Sequence, residues 1–426
     1  MRGTHSRSWC VLVAVGGSLA LTGCSSTTDA IGSDEPIALD AGPRVLLPLV
    51  CGGRTVNAFF ELLGISDADV KARIDEVFER LFHGDPDQEA FYVPVGKDQA
   101  FVKDTYHNEE ARTEGIGLAM NIAVKLGHRE EFDRLWRWSV ATIQDKDGRG
   151  QGYFWSRCDE VGDTVSCYDP YGMEQLTMAL IFAHERWGSD SGDIDYEQDA
   201  LELLDLMRRE EAEDGAGVDS VTSIFDEETA LPYHLPSPDA SDFTRPAVVI
   251  PAYYRLWAQA TGDRFWMDAT ERGREYLRAT CHPGTGFYPV RAFFDGKPVP
   301  GWGDYQPEAY RAQVNVVLDW LWGWEDLWTQ SGANRVISFF GTKVVEPFCR
   351  SYSHDGSQCV DTEAADPSLA AVNAIAALAS TQAERVRFIR ALWDAETPTG
   401  DSRYYGGLLH LIALMMVGGQ YPICSG

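Results

Sequence analysis

Residues 248–280, VVIPAYYRLWAQATGDRFWMDATERGREYLRAT, read as two helices folded back on one another. The first runs over about 248–262 and the second over about 264–280, joined by the turn Thr261-Gly262-Asp263. The same unit recurs outward in both directions. Leu126-Gly127-His128 joins helices at about 109–126 and 129–145. From Ser66 to Phe82 the apolar residues Val70, Ile74, Val77, Phe78 and Leu81 fall at helical spacing, with Ser66 and Asp69 as a capping pair and Gly84 as the stop. Asp366-Pro367 caps and starts another helix, lined by Leu369, Val372, Ile375, Ala376 and Leu378. Further stretches at about 173–188, 196–210, 307–329, 332–346, 382–394 and 403–418 bring the count to twelve. Six helical hairpins closing on themselves predict an all-α chain, an (α/α)6 barrel of inner and outer helices.

The start of the chain reads differently. Arg2 and Arg7 precede an apolar run from Trp9 to Leu21, too short to cross a bilayer, and Leu21-Thr22-Gly23-Cys24 follows. This pattern resembles a bacterial lipobox. It predicts a signal peptide over 1–23, lipidation of Cys24 and an exported lipoprotein of the cell envelope, held to the membrane through the lipid alone. Residues 24–44 read as a polar tether and 45–426 as one domain, with no linker inside it. The apolar run Leu408 to Val417 is too short for a membrane span and reads as a buried helix.

The chain has 36 basic and 65 acidic residues, a net charge of −29, and no basic run. Loss of Arg2 and Arg7 would take it to −31. Such a surface argues against a nucleic-acid partner. Of nine cysteines, seven lie beyond Cys24. Cys158/Cys167 and Cys349/Cys359 bracket short loops, Cys51 and Cys424 are placed to tie the ends, and Cys281 is left over; several being simple buried thiols is the alternative. No CxxC, HExxH or His–Cys spacing implies a metal, and no cofactor is expected. The 13 Trp, 17 Tyr and 19 Phe suit a sugar cleft, although aromatics at helical spacing usually pack a core.

Six stretches in order carry a resemblance: ARTEGIGLAMNIAVKLGHREEFDRLWRW (111–138), GQGYFWSRCD (150–159), YGMEQLTMALIFAHERWG (171–188), FWMDATERGREYLRATCHPGTGFYPVRAFFDGKPV (265–299), EAYRAQVNVVLDW (308–320) and TGDSRYYGGLLHLIALMMVGGQY (399–421). Together they resemble glycoside hydrolase family 8, and within it the reducing-end xylose-releasing exo-oligoxylanases. The resemblance implies an (α/α)6 barrel and inverting hydrolysis of β-1,4-linked glycans, with xylo-oligosaccharides as the expected substrate of a monomer. Inversion needs a general acid and a general base on opposite faces of the scissile bond. Glu114, beside Gly115 and Gly117 that are expected to leave room for a ligand, falls on the family's acid. Glu308 falls on its base, where the family has aspartate. A third family acid is replaced by Tyr171, with Asp169 two residues earlier as the substitute, while Glu174 matches a family glutamate. Trp155, Tyr171, Tyr310 and Arg311 are candidate sugar contacts.

Other positions depart from the family. Val248-Val249-Ile250 precede Pro251 where the branch has Tyr-His, and Tyr233-His234 lies upstream. Val290 and Arg291 stand where it has an acid and an aromatic, and Leu118 replaces a tyrosine. The residues therefore allow a second reading, a glycan-binding lipoprotein that has lost catalysis. A third is a lyase using Tyr171 as base and Arg291 to neutralise a uronate; the collinear motifs argue against it.

Overall fold

The computed structural model describes residues 44–107, 110–147, 150–158, 167–189, 192–208, 222–237, 242–343, 348–364 and 366–424. The leader, Cys24 and nearly all of the tether lie outside these residues. From Arg44 onward the chain forms one unit.

Among the described residues the helices are α1 (Ala58–Leu63), α2 (Asp67–His83), α3 (Thr113–Leu126), α4 (Arg129–Trp138), α5 (Pro170–Trp187), α6 (Tyr196–Met207), α7 (Pro251–Thr261), α8 (Arg264–Thr280), α9 (Pro307–Leu321), α10 (Leu327–Gly341), α11 (Pro367–Ala379), α12 (Arg385–Asp394) and α13 (Tyr405–Val417). From α2 on, two kinds alternate. The even-numbered helices bury one stripe, whereas α3, α5, α7, α9, α11 and α13 are buried nearly all round. A helix apolar on every side needs neighbours on every side, and only an inner position supplies them. The inner ring closes: α3 packs on α5, α7 on α9, α9 on α11, α11 on α13 and α13 back on α3. Tyr253 and Tyr254 of α7 complete it by donating to Gln175 and Glu174 of α5 at 2.9 and 2.7 Å. This is the (α/α)6 barrel.

The expected caps are present. Ser66 accepts from the Asp69 N–H at 3.2 Å, Asp366 from the Ser368 N–H at 2.8 Å, and Gly127 and Gly262 end α3 and α7 in the left-handed region at φ 88° and 70°. Other readings shift. The helix expected over 307–329 ends at Leu321, because Asp326 caps a new one by accepting from Thr329. α3 begins at Thr113, after a short strand, and α4 loosens into a π turn over Ser139–Ile143. The short α1, capped by Asn57, was not anticipated. Leu378 is only half-buried, because α11 is buried around its axis instead of along one face.

Short two-stranded ladders fill the connections: β1 (Tyr92–Val95) with β2 (Gln99–Val102), β3 (Ala111–Arg112) with β4 (Arg157–Cys158), β5 (Phe243–Thr244) with β6 (Ala292–Phe293), and β7 (Cys349–Tyr352) with β8 (Cys359–Ala364). Two disulfides are as read, Cys51–Cys424 and Cys349–Cys359, and Cys281 is a free buried thiol. The expected Cys158–Cys167 pair is not formed. Ladder register sets Ser156 against Cys167, with Ser156 N–H donating to the Cys167 carbonyl at 2.8 Å and the two side chains 2.7 Å apart, so Cys167 remains a free thiol.

The ends of the domain are tied twice. Besides Cys51–Cys424, the buried Lys125 ammonium donates to the carbonyls of Pro422 and Ile423 at 2.6 and 2.8 Å and lies 3.0 Å from the Phe182 ring centre. Closing a loop of 373 residues removes much freedom from the unfolded chain. Replacing Cys51 and Cys424 by serine is expected to cost about 2–5 kcal/mol, read as a lower calorimetric Tm. An unchanged Tm would mean that Lys125 holds the end alone.

Candidate active site

Two inner helices present their N-termini to one cavity. β3 pairs with β4, Thr113 N–H donates to the Ser156 carbonyl at 3.2 Å and Thr113 Oγ1 to that of Trp155. This clamp fixes Glu114 in the first turn of α3. On the facing side Pro307 opens α9, its carbonyl held by Tyr405 Oη at 2.5 Å, and Glu308 follows in that first turn. The positive end of each helix favours a carboxylate there. Both glutamates line a cavity of about 460 Å³, together with Asp104, Arg112, Arg245, Arg311, Arg350, Asp366, Tyr404 and Tyr405.

Arg311, one turn after Glu308 and 3% exposed, crosses to α3 and donates to Glu114 Oε2 at 2.6 Å. Its guanidinium lies 4.3 Å from the centre of the Tyr171 ring. Burial is the strongest influence on Glu114 and pushes its carboxyl up. Arg311, helped by Arg245 and Arg112, outweighs it and holds the group below the usual carboxylate range. Arg112 is itself fixed by the buried Asp104 at 2.6 Å. Glu308 is exposed in the cavity, with no hydrogen bond or ion pair among the described residues.

The remaining candidates fare unevenly. Asp169 is buried and fully engaged, capping α5 through the Gly172 N–H at 3.2 Å and binding Arg245 at 2.8 Å, so it does not open onto the cavity. Tyr171 is buried beneath Arg311, and burial keeps its hydroxyl protonated, which removes it as a lyase base. Trp155 stacks on Tyr168 at 4.5 Å, and Tyr310 is buried with its hydroxyl on the Arg350 carbonyl. Neither lines the cavity, because both belong to the packing that supports it. Glu174 is buried against Tyr254, and burial raises its carboxyl far above the usual range, so it stays neutral. Leu118 and Val248–Ile250 are buried. The glycines beside Glu114 make room for neighbours, not for a ligand. A Cβ on Gly115 would stand 2.6 Å from Tyr404 Oη, and one on Gly117 2.5 Å from the Gln175 Cβ.

Sequence reading missed Arg245, Asp104 and the β7–β8 wall carrying Arg350, Ser351 and Asp361. They come from loops without local pattern. The Cys349/Cys359 spacing was the one signal that something rigid stood there.

Arg245 follows β5 and Arg291 precedes β6, in a ladder that pairs Thr244 with Ala292. His234 is held alongside by its N–H to the Phe243 carbonyl at 3.1 Å, and its Nδ1 is buried without a hydrogen bond. Burial first, then Arg245 and Arg291, press its imidazole down to about 3.

The sequence profile of Glycosyl hydrolases family 8 matches residues 95–419. The reducing-end xylose-releasing exo-oligoxylanase Rex8A of Paenibacillus barcinonensis is 32% identical over 378 residues, 87% of this chain and 97% of that protein. The corresponding enzyme of Halalkalibacterium halodurans is 31% identical over 87% and 95%. Among solved structures, Rex8A complexed with xylose superposes with a TM-score of 0.79 over 86% of this chain and 96% of that one, at 32% identity. A xylobiose complex from Teredinibacter turnerae gives 0.80 over 86% and 97%, at 30% identity.

His234 reads its own burial first and the local charge second. A folded-state value below the ordinary one means that protonation favours the unfolded chain. The penalty is absent above about pH 6.5 and grows as pH falls toward 3. NMR titration of the imidazole is expected to give a midpoint near 3; an ordinary midpoint would contradict the burial of the ring beside the two arginines.

Proposed function

This chain belongs to Glycosyl hydrolases family 8, and on that premise we propose that it hydrolyses β-1,4-linked xylo-oligosaccharides with inversion, Glu114 serving as general acid and Glu308 as general base. The observation that carries this is the shared cavity: two carboxylates, each in the first turn of a different inner helix, line it together. Glu308 has no partner to give up, so its oxygens are available to a water. Glu114 is buried against Arg311, and a sugar filling the cavity excludes the remaining water. That added desolvation raises its carboxyl toward the protonated form the leaving oxygen requires. The xylo-oligosaccharide preference rests on what the most similar relatives are named for.

A second reading keeps the binding and drops the chemistry. It is favoured by the withdrawal of Asp169 into a cap and by Arg311 holding the Glu114 carboxyl below the usual carboxylate range. Glutamate in place of the family's aspartate at 308 also sets the base one methylene further out. The tests separate the two readings. Incubated with xylotriose to xylohexaose, the wild type is expected to release shorter products, and Glu114→Gln and Glu308→Gln to lose about a hundredfold or more in kcat. Binding without cleavage by the wild type would favour the second reading. Glu114→Gln and Glu308→Gln both keeping full rate would remove the role assignment.

Arg311 sets the pH response. With Glu114 as acid, kcat/KM falls as pH rises through its free-enzyme pKa. Arg311→Met leaves burial unopposed by its charge, so the alkaline limb is expected to move to higher pH. A limb that stays put would assign the acid role elsewhere. The lipobox-like start extends the proposal to placement: Cys24→Ser is expected to release the protein from the membrane fraction in a bacterial host that processes lipoproteins.

A further inference from the structure

Arg245 and Arg291 stand directly opposite each other in the continued register of β5 and β6. Residues opposite in an antiparallel pair share one face at about 4.5–5.5 Å between Cβ atoms, and like charges there are destabilising. Arg245 meets part of that cost through Asp169 at 2.8 Å. Arg291 does not. Its guanidinium lies 3.5 Å from the centre of the Trp302 ring, it has no carboxylate within ion-pair distance among the described residues, and its buried Nε has no hydrogen bond. The acid whose charge bears on it is Glu308 of the cavity. Trp302 keeps 38% of its surface exposed, so an apolar platform adjoins the free cation. The charged groups that bear on His234 are these two arginines and no acid, so the field at that point is positive in a chain of net charge −29. Nothing in the hydrolysis of a neutral xylan chain calls for this.

We propose that the Arg245–Arg291 pair, floored by Trp302 beside Glu308, is a subsite for a carboxylate borne by the glycan, and hence that the cleft takes xylan-type chains carrying a uronosyl substituent. The planar fork of a guanidinium suits a carboxylate, and the indole beside it suits the face of the sugar that bears it. The inference rests on reading the cavity as a glycosidase cleft, but its test does not depend on turnover.

The probes are xylotetraoses with a single glucuronosyl group at each position in turn, their methyl esters and the unsubstituted oligomer. Calorimetric binding to the Glu114→Gln protein is expected to favour at least one acid over its own ester by about tenfold, less at high salt. In Glu114→Gln/Arg291→Gln that ratio is expected to fall to near one. Equal affinities for every acid and its ester, or a preference that survives Arg291→Gln, would overturn the subsite and leave Arg291 on Trp302 as a packing contact. A wild type that cuts no oligomer while its acid preference stands would retire the hydrolysis and keep the subsite.

Discussion

The ion pair between Arg311 of α9 and Glu114 of α3 is the interaction on which the site depends. It joins two inner helices far apart in sequence, and it is almost wholly removed from solvent on the arginine side. A buried pair of this kind adds little net stability, but removing one partner strands a charge and costs about 3–5 kcal/mol. The surroundings are arranged to keep it. Thr113 and the β3–β4 ladder fix the start of α3, Tyr405 fixes the start of α9, and the Tyr171 ring lies under the guanidinium. One contact thereby sets both where Glu114 points and how readily it holds a proton.

The same contact suits a tyrosine at 171. An aspartate at 171 would add a second carboxylate beside Arg311 and compete for it. A tyrosine offers the guanidinium a ring face instead, with no charge to share. Asp169 is not a spare, since capping α5 and binding Arg245 use both its oxygens. The cleft therefore mixes carboxylates with arginines, and Glu308 is the carboxylate left without a partner among the described residues.

The scaffold was legible wherever the signal was local. Ser66, Asp366, Gly127 and Gly262 do what their residue types require, and the alternation of all-round-buried with striped helices follows from composition along each segment. The cap that Asp326 makes with Thr329 was local but hidden inside a long apolar stretch. Elsewhere legibility failed where a partner distant in sequence decides: Gly115 and Gly117 exist to admit Tyr404 and Gln175. Tyr310 and Trp155 looked like sugar contacts but face the packing. Glu114, Glu308 and Arg311 were found through the resemblance. Arg245 was not, because a single arginine before a proline carries no pattern, and its place is set by a two-residue ladder.

The central claim is that Glu114 and Glu308, held in one cavity by the Arg311 contact, work as an inverting pair. Proton NMR of the anomeric region during the first minutes of xylo-oligosaccharide hydrolysis tests it most directly. The account predicts that the newly formed reducing end appears first as the α-anomer and mutarotates afterward. First appearance of the β-anomer, or no new reducing end at all, would contradict it.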